Sequence, residues 1–168
     1  TNFDYPGDVI SVGSWARGAF PGLPVHALTA SFGAINTLSA IDEAGFPFDK
    51  VVAEACSPTL PDFWKAYPFA QAVLNISRRI NPQGELRLRP VHHLANMRDV
   101  DVLLVHSHGD RWTPVHFGDT LRQAASRPER IQRLILDKAD HTYGMRDEAQ
   151  RYWSAVLEFF NQSSPTRS

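Results

Sequence analysis

Four short apolar runs limit what this chain can fold into: "VHALTA" (25–30), "DKVVAEAC" (49–56), "DVLLVHS" (101–107) and "RIQRLILDKA" (130–139). Each is nearly continuous in Val, Ile, Leu and Ala rather than alternating with polar residues, which is the pattern of strands buried on both faces. Segments with helical spacing lie between them. Strands that alternate with helices predict an α/β fold: a mostly parallel sheet with helices on both faces. In such sheets ligands bind beyond the carboxyl ends of the strands, so the residues just after each run carry most of the functional information.

The intervening segments give further expectations. "GDVISVGSWARGAF" (7–20) sets Val9, Val12, Trp15 and Ala16 at helical spacing, weakened by Gly13. "PGLP" then resets the chain. "FGAINTLSAIDEAG" (32–45) predicts a helix ended by Gly45. "TPVHFGDTLRQAASR" (113–127) predicts one opening near Pro114, with Val115, Thr120, Leu121 and Ala124 turned inward. In "MRDEAQRYWSAVLEFF" (145–160), Ala149, Tyr152, Trp153, Val156, Leu157 and Phe160 form the apolar stripe. Residues 57–99 hold five prolines and the amphipathic piece "FAQAVLNISRRI" (69–80). That is too long for a plain connection and predicts a lid or cap over one end of the sheet. One domain over 1–162 and a disordered tail over 163–168 follow.

Composition excludes several classes. With a formal net charge of −1 over 168 residues, no overall field draws nucleic acid or an anionic surface. Arg87, Arg89 and the Arg78–Arg79 pair read as a solvated face. The single cysteine, Cys56, rules out an intrachain disulfide and reads as a buried structural thiol. No apolar run is long enough to span a bilayer. A chain opening on Thr1 is consistent with removal of an upstream piece, so compartment stays open, with the cytoplasm favoured.

Three strand ends carry polar side chains of complementary chemistry. Ser31 follows the first, Asp110 the third and His141 the fourth. A serine hydroxyl is a weak nucleophile until an imidazole takes its proton, and the imidazole needs a carboxylate to fix its tautomer and steady its positive charge. A serine in a cramped strand-to-helix turn needs small neighbours two positions away on each side. Gly33 satisfies this downstream, whereas Thr29 crowds the turn upstream. The helix beginning at Phe32 would direct its first amides at a developing oxyanion.

"DVLLVHSHGDRWTPVHFGDTLRQAA…RIQRLILDKADHTYGMRDEAQRYWSAVLEFF" resembles the C-terminal part of α/β-hydrolases, in particular the esterase and prolyl-oligopeptidase-like branch. A Gly-Asp pair after a hydrophobic strand, a Pro at the next helix start, and a histidine about thirty residues later carry the likeness. Here these are Gly109-Asp110, Pro114 and His141, and "LTASFGA" resembles a nucleophile elbow. The likeness runs from about residue 5 to residue 160. It implies a serine hydrolase acting on an ester, thioester or amide. Ser31 would be nucleophile, His141 base and then acid, Asp110 the orienting carboxylate, and the Phe32 backbone N–H an oxyanion donor. His108, Trp112, Phe63 and Trp64 would line the pocket of a small acyl substrate. No cofactor or metal is implied. The family carries several strands, and a second oxyanion donor, before its elbow. The expected partner is therefore the N-terminal half of the fold or a second copy of this chain.

Other readings have their own residues. "HSHGD" (106–110) resembles the His-x-His-x-Asp motif of metallo-β-lactamase-type hydrolases, with Arg111 where another histidine would stand. Thr1 could serve as an N-terminal nucleophile. A hydrolase-like domain can also lose catalysis and remain as a binding or dimerisation scaffold; Thr29 and the short stretch before the elbow favour that reading. His92 and His93 read as packing residues, His26 as a satisfied core or edge histidine, His106 as a strand-end residue near the site, and His116 as exposed.

Overall fold

A computed structural model describes residues 5–65 and 86–163, together with residues 69, 72, 73, 75, 76 and 79 between them. Thr1, Arg78, half of the 69–80 piece and the tail beyond residue 163 lie outside the described residues.

The four apolar runs form one parallel sheet: β1 (His26–Ala30), β2 (Lys50–Glu54), β3 (Asp101–Ser107) and β4 (Ile131–Leu136), in the order β1-β2-β3-β4. Ala30 pairs with Glu54, Glu54 with Val105, and Ser107 with Leu136, so the four carboxyl ends form one rim. Around the sheet lie α1 (Tyr5–Ala19), α2 (Phe32–Leu38), α3 (Leu60–Trp64), α4 (Pro90–Leu94), α5 (His116–Ala124), α6 (Gly144–Asp147) and α7 (Ala149–Asn161).

Each strand feeds both faces, because successive side chains point opposite ways. Val51, Ala53, Val102 and Leu104 pack with Ile35 and Leu38 of α2, Leu94 of α4 and Leu121 of α5. Val52, Leu103, Val105 and Leu136 pack with Tyr152, Val156 and Phe159 of α7. Burying each such aliphatic side chain stabilises the fold by about 1.5–3 kcal/mol. Lys50 is itself buried and donates to the Phe159, Phe160 and Gln162 carbonyls at the end of α7. The lysine thereby satisfies carbonyls that the helix cannot.

Several local expectations are corrected. α2 ends at Leu38 rather than at Gly45, which instead occupies a turn with φ of 83°. In α1 the buried residues are Pro6 and Gly13, while Val12 and Trp15 face outward. Gly13 lies so close to Phe48 and Pro47 that a Cβ there would come within 2.4 Å of the Pro47 ring, so close approach explains a residue that weakens the helix. In α5, Thr120 is exposed and Gly118 takes the inward place. In α7 the buried stripe is Tyr152, Val156 and Phe159; Ala149, Trp153 and Leu157 face outward. The apolar residues of α7 span two adjacent faces, and spacing alone does not choose between them. The described ends of the 57–99 segment pack into the domain, and the middle of the expected lid falls mostly outside the described residues. Val91 N–H donates to the Pro58 carbonyl at 3.3 Å, and Leu88, Leu94 and Met97 are core residues.

Candidate active site

Ser31 occupies the turn between β1 and α2 with φ 51° and ψ −119°, a conformation costly for a residue with a Cβ. Its N–H donates to the Glu54 carbonyl at 2.9 Å and its carbonyl accepts Ile35 N–H at 3.1 Å, which holds the turn from both sides. The Thr29 hydroxyl donates to the Val52 carbonyl at 2.9 Å across the sheet. Gly33 is not sterically required, since a Cβ there would meet nothing within 4 Å. Phe32 opens α2, so its N–H has no acceptor within the helix. The Phe32 ring meets Tyr5 edge-on at 5.5 Å.

Asp110 stands three residues beyond β3 and is 5% exposed. Its Oδ1 accepts the Trp112 and Thr113 N–H groups at 2.7 and 3.1 Å, and Oδ2 accepts the Thr113 hydroxyl. Burial pushes the Asp110 pKa up. Hydrogen bonds from the His141 ring and Thr113 hydroxyl, the His141 charge and the Trp112 amide outweigh burial, leaving it below the ordinary carboxylate value. Gly109 lets this loop touch the next one, because a Cβ there would sit 2.4 Å from the Lys138 carbonyl oxygen.

The loop after β4 is fixed by acceptors of its own. Glu148 Oε1 accepts the Asp137, Lys138 and Ala139 N–H groups at 2.9, 2.8 and 3.1 Å, and Asp140 Oδ1 accepts His141 N–H at 2.7 Å. Thr142 then takes φ of 64°.

These loops bring the three side chains together. Ser31 Oγ lies 2.8 Å from His141 Nε2, and His141 Nδ1 lies 2.8 Å from Asp110 Oδ2. Asp110 is held as the carboxylate, so the imidazole carries its proton on Nδ1 and leaves Nε2 to accept the serine proton. The Phe63 ring is 5.7 Å from the His141 ring, with Trp64 packed edge-on against it at 5.3 Å. Trp112 lies under the Arg111 guanidinium at 4.6 Å, and His108 is exposed on the same loop.

Other singled-out residues have separate roles. His106 is buried, its Nε2 2.9 Å from the Cys56 carbonyl oxygen, while His108 faces outward. Among the described residues no three His, Cys, Asp or Glu side chains gather as a metal site. His93 pairs with Asp42 at 2.8 Å. His26 stacks on Phe160 at 4.9 Å with Nδ1 buried and unpartnered, so it is not fully satisfied. Burial raises the Cys56 pKa, which keeps the thiol protonated and unreactive.

Sequence reasoning missed Thr113, Glu148, Tyr152 and Glu54 as parts of the site. Glu54 left a signal, being the one carboxylate inside the apolar run "VVAEAC".

No protein-family model and no curated protein matches this chain. Solved structures do. A puromycin-hydrolysing peptidase of Mycobacterium tuberculosis aligns over 95% of this chain and 25% of its own, at 18% identity and a TM-score of 0.72. An acylaminoacyl peptidase of Pyrococcus horikoshii aligns over 92% of this chain and 26% of its own, at 15% identity and a TM-score of 0.66. A Pyrococcus furiosus esterase aligns over 98% of this chain and 65% of its own, at 13% identity and a TM-score of 0.72. The chain thus has the α/β-hydrolase fold, in part: it spans about a quarter of each peptidase and about two thirds of the esterase.

Proposed function

We propose that the chain is the catalytic part of a serine hydrolase that cleaves an ester, thioester or amide through an acyl-enzyme on Ser31. The observation that carries this reading is the unbroken line from Ser31 Oγ through the His141 ring to Asp110, with 2.8 Å at each step. His141 Nε2 takes the Ser31 proton as Oγ attacks the acyl carbon. The Phe32 N–H receives the developing oxyanion. His141, its positive charge offset by Asp110, passes the proton to the leaving group. Water then enters by the same route, and His141 returns its proton to Ser31 as the acid product leaves. Phe63, Trp64, Trp112 and His108 are proposed to line the acyl site. In support, Phe63 and Trp64 lay an apolar wall beside His141.

The expected partner belongs to the same reading. Leu28 in β1 is 40% exposed, whereas every residue of β2 and β3 is buried. An open strand edge recruits further strands, from an N-terminal half or from a second copy. Light scattering that finds this chain alone monomeric and well behaved contradicts that. The proposal of catalysis is tested with Ser31→Ala, which should abolish turnover of a short p-nitrophenyl ester, about 10³-fold or more, with the fold intact. Unchanged turnover overturns it.

A further inference from the structure

Glu54 ends β2 with a side chain only 4% exposed, a rare location for a carboxylate unless it is fully engaged. Its three acceptor oxygens serve three different elements. The main-chain carbonyl takes Ser31 N–H at 2.9 Å and so holds the strained turn that carries the hydroxyl. Oε1 takes Gly144 N–H at 2.8 Å, three residues after His141. Oε2 takes the Tyr152 hydroxyl at 3.1 Å from inside α7. The His141 loop is thus anchored where it enters, by Glu148 and Asp140, and where it leaves, by Glu54. Gly144 is fitted to this contact: a Cβ there would lie 2.8 Å from Glu54 Oε1 and 2.7 Å from Leu136 Cδ1.

We propose that Glu54 is a positioning residue for the Ser31–His141 pair, its carbonyl fixing the serine backbone and its side chain fixing the histidine loop, so that one residue sets the gap between Oγ and Nε2. An apolar side chain of the same size would leave the Gly144 N–H and the Tyr152 hydroxyl buried without acceptors, and the loop would shift to find others. The kinetic consequence rests on the hydrolase reading; the positional one does not.

The test compares Glu54→Gln, Glu54→Asp and Glu54→Leu by ester turnover and by the ring-nitrogen signals of His141 in histidine-labelled protein. Glutamine can still accept from Gly144, and its amide can donate to the tyrosine oxygen. This variant should keep kcat within about threefold and leave the His141 signals in place. Aspartate keeps the charge but falls short of Gly144, and leucine offers no acceptor. Both should lose about 100-fold in kcat with KM little changed, the penalty of an ångström-scale misplacement, and both should shift or split the His141 signals. The aspartate variant decides should the leucine variant not fold. Wild-type kcat and His141 signals in both Asp and Leu variants overturn the proposal, as does an equal loss in Glu54→Gln. Absence of turnover in the wild type overturns the hydrolase reading instead, and the His141 signals then decide the positional claim alone.

Discussion

The two sides of this sheet differ in how they treat their polar and apolar groups. At the β3 and β4 ends carboxylates hold the loops: buried Asp110 gathers Trp112 and Thr113, half-buried Glu148 gathers three consecutive N–H groups, and buried Glu54 reaches across from β2 to Gly144 and Tyr152. On the β1–α1 side, apolar side chains face outward: Val12 and Trp15 on α1, Phe20 and Leu23 after it, and Leu28 on the strand. The β3–β4 side supplies Asp110 and His141, and it too exposes apolar residues, Trp153 and Leu157 on α7. The other contributes the serine and exposes apolar residues along both α1 and β1. The loops after β3 and β4 are held mainly by carboxylates close in sequence, with Glu54 the distant one, whereas Ser31 is held by the Glu54 carbonyl, the Ile35 N–H and the His141 ring.

This contrast can be broken from its stronger side. Asp110→Asn should lower kcat by about 10⁴-fold, because the amide offers His141 the wrong tautomeric partner. Ester turnover measures it, and a loss below tenfold removes Asp110 from the line. Buried core gives the next effect. Leu104→Ala in β3, 0% exposed, should cost about 2–5 kcal/mol in denaturant unfolding. Leu28→Ala at the exposed edge should stay within about 0.5 kcal/mol in the same experiment on the isolated chain. Equal costs would erase the difference between the two sides. Gly109→Ala should destabilise by about 1–3 kcal/mol through its collision with the Lys138 carbonyl, and lower turnover as the two loops part. Gly33→Ala should be neutral or stabilising by up to about 1 kcal/mol, since it adds a helix former to open space in α2; a thermal melt reads it.

Acid should act on the same side. The folded Asp110 pKa lies below its unfolded value, so its contribution to stability is complete above about pH 4 and lost as pH falls through the folded value. Glu54 has the opposite sign. Burial lifts its pKa above the ordinary value against the pull of Gly144 and Tyr152. Its contribution is therefore complete at low pH and lost as pH rises through the folded value.

The sheet was legible because buried parallel strands leave continuous apolar runs. Their ends pointed to Ser31, Asp110 and His141 together, each lying within three residues of the end of such a run. What stayed hidden depends on contacts between distant segments. Glu54 and Tyr152 are 98 residues apart, and no local pattern announces their pairing. The facing of α1 and α7 was hidden for a related reason: both carry apolar residues on more than one face, and only the packed sheet selects which is buried.

The most direct measurement treats folded wild-type protein with a fluorophosphonate and locates the adduct by mass spectrometry. A hydroxyl whose proton is taken by a braced imidazole reacts, and the account predicts one adduct, on Ser31, lost in His141→Ala. Folded protein that stays unmodified, or that carries the label elsewhere, would contradict it and leave the domain a scaffold that binds without catalysing.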